Sequence, residues 1–520
     1  MVRMESPSLP DSGRAAAGEY CPAHSKALRL LAILLLAGCA SVPNTTPLTG
    51  STLPDTTSQD PQVMDVAISL VSHQTDQSRN SENASSSAGD GGLAGLRADN
   101  LDADTRLADP LSHPTPPPID SLEQLEDAAV AQNPSLRRLA QQYQAARAKV
   151  RYVDGLPDPT MAANVFATPI ETAAGSQRAN LKVAQMLPWL PRLDAQAQQA
   201  CFEAMALQQV HAAERLKVVG DVRTMWYRLY VLGKQIEIHE ANQELLESLI
   251  AVANARVSTG KATQGDVLVG TLEYSKLEEQ LVTLRQQHIS TVAEIDRLVG
   301  RRADVAIHGP TTLDVTLPDW THLMLRQFAL EYQPDIAAAR IRTQATRWGV
   351  TVAQLKRKPD FSLNASWFAI DNNRPASTVV EVGQDAWSVG ASVSIPLWER
   401  KYDAIEQEAR WNHAAAHASV DESVQRYDAI LRDLWEQAKA ADETATLYKA
   451  TILPQAQDTL AADQQSYANG TVDFDRVIGD FRNLLTLELG YHRAVGRLAT
   501  ALARIRQATG TEPGDFGNDQ

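Results

Sequence analysis

Hydrophobic positions along this chain follow two periods, and the switch between them marks its elements. Phe361, Leu363, Ala365 and Trp367 alternate with Ser362, Asn364 and Ser366. Trp387, Val389, Ala391, Val393 and Ile395 alternate with Ser388, Gly390, Ser392 and Ser394. Period two, with one apolar and one small polar face, predicts strands that divide lipid from water. Each run is about the 9–11 residues that a tilted strand needs to cross a bilayer. A soluble sheet lying over a core would give the same period. Fainter alternation at Met161–Thr168 and Ala179–Leu187 predicts two more strands, with Asn164 and Lys182 on the wet face. Pro188 and Pro396 end their strands, because proline can neither extend a ladder nor continue a helix interior.

The period then lengthens. No proline interrupts residues 192–257, which at about 1.5 Å per residue make a helix of roughly 100 Å. Residues 400–468 read alike, with a kink or break expected at Pro454. Two return helices carry near-heptad stripes. One is Leu277, Leu281, Leu284, His288, Val292, Ile295 and Leu298; the other is Val477, Phe481, Leu484, Tyr491, Val495, Leu498, Leu502 and Ile505, with Glu488 as an interruption. Ser121 begins the folded part as a helix cap, with Gln124 placed to reach back.

These elements occur twice. Asn133-Pro134 matches Gln333-Pro334, and Pro159 matches Pro359, both at a spacing of 200. Gly260 matches Gly470 at a spacing of 210. Loops that vary in length between constant elements give such drift. Each half is expected to run helix, strand, strand, long helix, helix. The organisation read from this is a signal peptide at 1–38, a lipidated disordered tether at 39–118, two repeats at 119–310 and 311–508, and a disordered tail at 509–520.

The N-terminal divisions rest on composition. Leu28–Ala37 is a short apolar run behind His24, Lys26 and Arg29, which reads as a signal peptide. It ends in Leu36-Ala37-Gly38-Cys39, which resembles the bacterial lipobox, where the cysteine thiol takes the diacylglycerol; a cleaved signal with an incidental cysteine is the alternative reading. Several acyl chains there anchor a protein durably, at about 0.8 kcal/mol per buried methylene. Ala40 follows Cys39, without the Asp that marks inner-membrane retention. Residues 40–118 are rich in Ser, Thr, Asp, Pro and Gly and bury too little apolar surface to fold. Net charge is −15, from 63 acidic and 48 basic residues. That argues against a nucleic-acid surface and suits an aqueous lumen favouring cations.

A duplicated long-helix hairpin behind a lipobox resembles the TolC-like outer membrane efflux family, over about residues 120–508. The motif carrying the likeness is Gly260 with Gly265-Asp266-Val267-Leu268, repeated as Tyr467-Ala468-Asn469-Gly470 with Val477-Ile478. Arg476 in the second copy stands where the first has Asp266. The resemblance implies a mainly α fold with a small β membrane section. Three subunits would close a trimeric α-barrel and a twelve-stranded β-barrel, four strands from each. It implies a passive outer-membrane exit duct for small molecules or metal cations, working with an inner-membrane transporter and a periplasmic adaptor. The Pro-rich segments 156–159 and 185–189 resemble members that serve heavy-metal pumps. Gly260 and Gly470 would form the periplasmic tip turns.

Asp266, Asp473, Asp475 and Arg476 are the candidate pore or gate residues. In a trimer each acid becomes a ring of three negative charges, and Arg476 pairing with a nearby acid would hold the tip closed. Helix capping and tip solvation explain the acids equally well. His413 and His417 lie one turn apart, a spacing that binds metal, but no third ligand is evident and surface histidines are the simpler reading. Trp226, Tyr227 and Tyr230 read as interhelical packing, Trp367 and Trp387 as an aromatic belt or ordinary packing. No nucleotide-binding, hydrolase or zinc motif is present, so no enzyme, cofactor or metal site is expected. The rival functions are an exit duct for protein secretion, a periplasmic adaptor lipoprotein and, more remotely, a zinc hydrolase using the two histidines.

Overall fold

The computed structural model describes residues 121–301, 307–378 and 380–511. The signal peptide, Cys39, the tether and the tail beyond 511 lie outside the described residues. The first half comprises α1 (Leu122–Gln132), α2 (Pro134–Val150), β1 (Thr160–Thr172), β2 (Gly175–Leu187), α3 (Leu190–Ser258) and α4 (Gln264–Val299). The second comprises α5 (His322–Tyr332), α6 (Pro334–Leu355), β3 (Asp360–Asp371), β4 (Ala386–Ser394), α7 (Glu399–Leu447), α8 (Leu453–Asn469) and α9 (Phe474–Thr509).

Each half therefore opens with two helices where the pattern predicted one. The break falls before Pro134 and Pro334, because a residue that precedes proline is driven out of the helical region. Asn133 adopts φ −56 and ψ 125, and Gln333 φ −71 and ψ 115. Both side chains then cap the end of a distant return helix. Asn133 donates to the Leu298 carbonyl at 2.7 Å, and Gln333 donates to Ala508 at 2.9 Å.

The strands form one antiparallel sheet in the order β1-β2-β3-β4. The central pairing, β2 with β3, joins the two halves, and β1 and β4 are its edges. β1 runs past Pro169, beyond the predicted end at Thr168. An edge strand tolerates proline, and the register shifts between Val165 and Ile170 to admit it.

α3 is 69 residues long, about 100 Å at the usual rise. Its counterpart bends its ladder: α7 passes into a π-helical turn over Tyr448–Ile452 and then into α8, with helical dihedrals throughout. Pro454 has no N–H to donate and its ring crowds the preceding turn, and the wider π turn relieves both. The break expected at Pro454 is thus a loosened turn just before it. The apolar stripes of α4 and α9 face the core, with Leu277, Leu281, Ile295, Val477, Phe481 and Leu498 all buried. Trp226 and Tyr230 are buried as well. Trp226 packs beneath α1, and the Tyr230 hydroxyl meets His492 Nδ1 at 2.9 Å.

Candidate functional site

Two features of this fold bear on function: the two faces of the sheet, and the turns joining the long helices.

Cross-strand partners share a face, and the register sorts the sheet cleanly. Met161, Val183 and Ala365 lie in one row, continued by Val389. Leu181, Trp367 and Trp387 lie in another, and Leu187, Phe361 and Val393 in a third. Through these rows the face is apolar apart from Gln185, whose amide donates to the Pro157 carbonyl at 2.8 Å, and it turns polar at the far end of the strands in the row Glu171, Ser176 and Asp371. The other face carries Asn164 opposite Asn180, Lys182 opposite Ser366, and Asn364 opposite Gly390. No described residue covers the apolar face. Val165 is 84% exposed, Trp387 77% and Val389 69%. Trp367 and Trp387 face each other toward one end of the strands, and Trp398 stands exposed at the other. Among the described residues, Trp367 and Trp387 are thus not core packing. Among the described residues no helix is long and apolar enough to cross a membrane.

The two turns are built alike. The Gly260 N–H donates to Val257 and the Lys261 N–H to Arg256. The Gly470 N–H donates to Tyr467 and the Thr471 N–H to Ser466. This paired bonding satisfies the last carbonyls of a helix and needs a left-handed residue, which glycine provides without steric cost. Gly260 has φ 72 and Gly470 φ 81. Both turns meet in one apolar cluster drawn from α3, α4, α8 and α9, including Leu249, Val267, Leu460, Phe474 and Phe481. The Arg256 guanidinium lies 4.4 Å from the centre of the Tyr467 ring and joins one turn to the other.

The candidate acids are differently placed. Asp266 closes a reciprocal cap on α4: the Thr263 hydroxyl donates to its carboxylate at 2.5 Å, and its own N–H donates to Thr263 Oγ1 at 3.3 Å. Burial, and then the Asp266 charge, push the Tyr467 phenol up. Asp473 is the N-cap of α9 and Asp475 lies in its first turn, both exposed. Arg476 donates through Nε to Asp463 at 2.6 Å. It thus pairs with an acid, but within its own hairpin. Asp463 is held below the usual carboxylate range, by that bond first and by Asp480 second. Burial pushes Asp480 up, and Asp463 adds to the effect.

The tie between hairpins is one the sequence pattern did not indicate. Arg482 of α9 donates to Glu273 of α4 at 2.5 Å, and Lys276 reaches the same oxygen at 2.6 Å. The Glu273 side chain is 8% exposed. Its carboxyl is held below the ordinary glutamate value, by the Arg482 bond first, against burial, with Lys276 adding to it. A helical spacing cannot show that residues 273 and 482 meet; only the packing of α4 on α9 does. His413 is engaged by Thr346, whose hydroxyl lies 3.1 Å from Nδ1, and its ring meets His417 edge-on at 5.1 Å.

Comparison with known proteins places this geometry. A family model described as "Outer membrane efflux protein" matches residues 125–301 and 325–511. Over 286 residues the chain is 22% identical to the alkaline protease secretion protein AprF of Pseudomonas aeruginosa, covering 52% of this chain and 57% of AprF. It therefore spans a little over half of that relative's length. Among solved structures, the outer-membrane channel OprN matches with a TM-score of 0.63 at 20% identity, over 75% of this chain and 90% of OprN. The outer membrane protein VceC from Vibrio cholerae matches at 0.63 and 18%, over 75% of this chain and 96% of VceC. CusC, whose structures concern transmembrane channel formation, matches at 0.60 and 16%, over 76% and 93%. At these identities the likeness is one of fold.

Proposed function

The chain belongs to the outer membrane efflux protein family, and on that footing we propose that it is the outer-membrane channel subunit of a tripartite efflux system. One observation carries the reading: a four-stranded sheet with an apolar face that no described residue covers, a polar opposite face and two open edges. Unpaired strand edges cannot face lipid, because every backbone N–H and C=O in a bilayer needs a partner. Four strands are too few to close on themselves. Three copies joined β4 to β1 give a twelve-stranded barrel with no edge, its apolar face toward lipid and Asn164, Lys182 and Asn364 toward water. The long helices continue that wall into the periplasm as an α-barrel. Lipid on Cys39, proposed from the lipobox, fixes the chain to the outer membrane. The duct is passive, with energy supplied by an inner-membrane transporter through an adaptor that docks at the Gly260 and Gly470 turns.

Asp266, Asp473, Asp475 and Arg476 belong to the same proposal as tip residues. Asp473 and Asp475 are exposed and free to charge the rim. Asp266 and Arg476 shape the turns through Thr263 and Asp463. A susceptibility panel on a deletion strain tests the function, with divalent metals beside dyes, detergents and antibiotics. Sensitivity to either class supports an efflux duct and names its cargo. Unchanged tolerance with loss of a secreted protein from the medium favours the second reading, an exit duct for protein secretion. The likeness to AprF, a secretion protein by name, is the observation behind that second reading.

A further inference from the structure

A groove of about 760 Å³ runs between α3, α7 and α9. Its floor is apolar, formed by Tyr227, Val231, Leu434 and Ala441. Its rim is cationic, formed by Arg228, Arg493, Arg497 and Arg504, and among the described residues no Asp or Glu lines it. The floor owes its shape to Gly496, where a Cβ would stand 2.3 Å from Val231 Cγ2, so that α9 lies directly on α3.

The four guanidinium groups are not equally committed. Arg504 pairs with Asp221 at 2.8 Å, and Arg493 meets the Gln235 amide oxygen at 2.8 Å once that amide is turned to face it. Arg228 and Arg497 have neither an ion pair nor a hydrogen-bonding side chain among the described residues. The position of the groove adds to this. On α3, Val222, Trp226 and Leu229 pack beneath α1. Thr224, Arg228 and Val231 come out on the opposite side of the helix, at 100° per residue, and Tyr227 lies between the two sides, touching both that cluster and the groove. On α9, Leu498, Leu502 and Ile505 pack against α5 and α7, turned away from Arg493 and Arg497. The groove thus opens on the face of the long-helix layer that α1 and α5 leave bare. In a closed ring of such layers the added helices must lie outside, since inside they would fill the bore. The bare face is then the inner wall.

We propose that this groove is a transit site for amphiphilic organic anions: an aromatic or alkyl body seated on the Tyr227 floor, with a carboxylate, sulfonate or phosphate held by Arg228 and Arg497. The volume suits a drug-sized molecule, and the planar guanidinium matches each of those oxyanions in a two-point contact. Only the word transit rests on the channel reading; the binding site stands on the groove itself. On the channel reading, the same site favours an organic anion as cargo over the metal cation left open above.

Naphthalene-1,5-disulfonate is the probe, titrated by its fluorescence against full-length protein in detergent. Saturable binding is expected for the wild type and for the control Arg410→Gln, whose arginine pairs with Glu406 at 2.6 Å on the surface of α7. In Arg228→Gln/Arg497→Gln the affinity falls at least about tenfold, the loss of two charge-assisted contacts. Absence of saturable binding to folded wild type, or equal binding by the double variant, overturns the site. Bilayer recordings with the same probe separate this from the parent reading. The probe blocks wild-type current and spares the double variant if both hold. Binding without any conductance sinks the channel alone, and conductance without block or binding sinks the groove alone.

Discussion

The bond between Glu273 and Arg482 makes a quantitative prediction about opening. It joins the first hairpin to the second near their turns, at 2.5 Å, with the acid buried and the arginine half-exposed. A charge-assisted bond contributes about 1.5–3 kcal/mol when shielded, and solvent around Arg482 reduces this to roughly 1–2 kcal/mol. If the closed tip contains the bond and the open tip does not, Glu273→Gln raises the ratio of open to closed channels by about 5- to 30-fold, at 1.4 kcal/mol per factor of ten. Arg482→Met does the same, and the double variant adds little, which gives a coupling of about 1 kcal/mol or more in a double-mutant cycle. Single-channel open probability in planar bilayers reads this directly. The acid also predicts a pH dependence. Its folded pKa lies below its unfolded value, so the tie is at full strength above about pH 4.3, the ordinary glutamate value, and is lost as pH falls through the folded pKa. Channels should open on acidification, and Glu273→Gln should abolish the glutamate's part of that response. Unchanged open probability in both single variants of a conducting channel would refute the reasoning.

Other expectations follow from single positions. Phe481→Ala empties the centre of the four-helix cluster, where the ring is 1% exposed; thermal unfolding in detergent should show a loss of about 3–5 kcal/mol. Gly470→Ala forces a side chain into φ 81 and should cost about 1–2 kcal/mol by the same assay, while leaving membrane insertion intact. Cys39→Ser should abolish incorporation of labelled palmitate and release the protein from outer-membrane fractions more readily on salt and urea washing.

The second sheet hairpin was legible because its alternation is chemically sharp: Trp, Val and Phe against Ser, Asn and Gly. The first was fainter because β1 and β2 use Ala on both faces, and the alternation fades at Thr168, before the Pro169 that an edge strand tolerates. The tip turns could be read from Gly260 and Gly470, since the left-handed conformation nearly demands glycine. The split between α1 and α2 is written in Asn133-Pro134, but only indirectly, because the preceding residue, and not the proline, leaves the helix. The partner of Arg476 lay 13 residues away and was open to anticipation as an acid nearby. Glu273–Arg482 and the arginine groove were not. They depend on residues more than 200 positions apart meeting across separate hairpins, and no local period encodes that.

The central claim is that three copies of this chain close one pore. Purified full-length protein, reconstituted in planar bilayers and weighed intact by native mass spectrometry in the same preparation, tests it most directly. A trimeric mass with discrete unitary current steps is the predicted result. A folded monomer that inserts without conductance, leaving β1 and β4 unpaired, would contradict it.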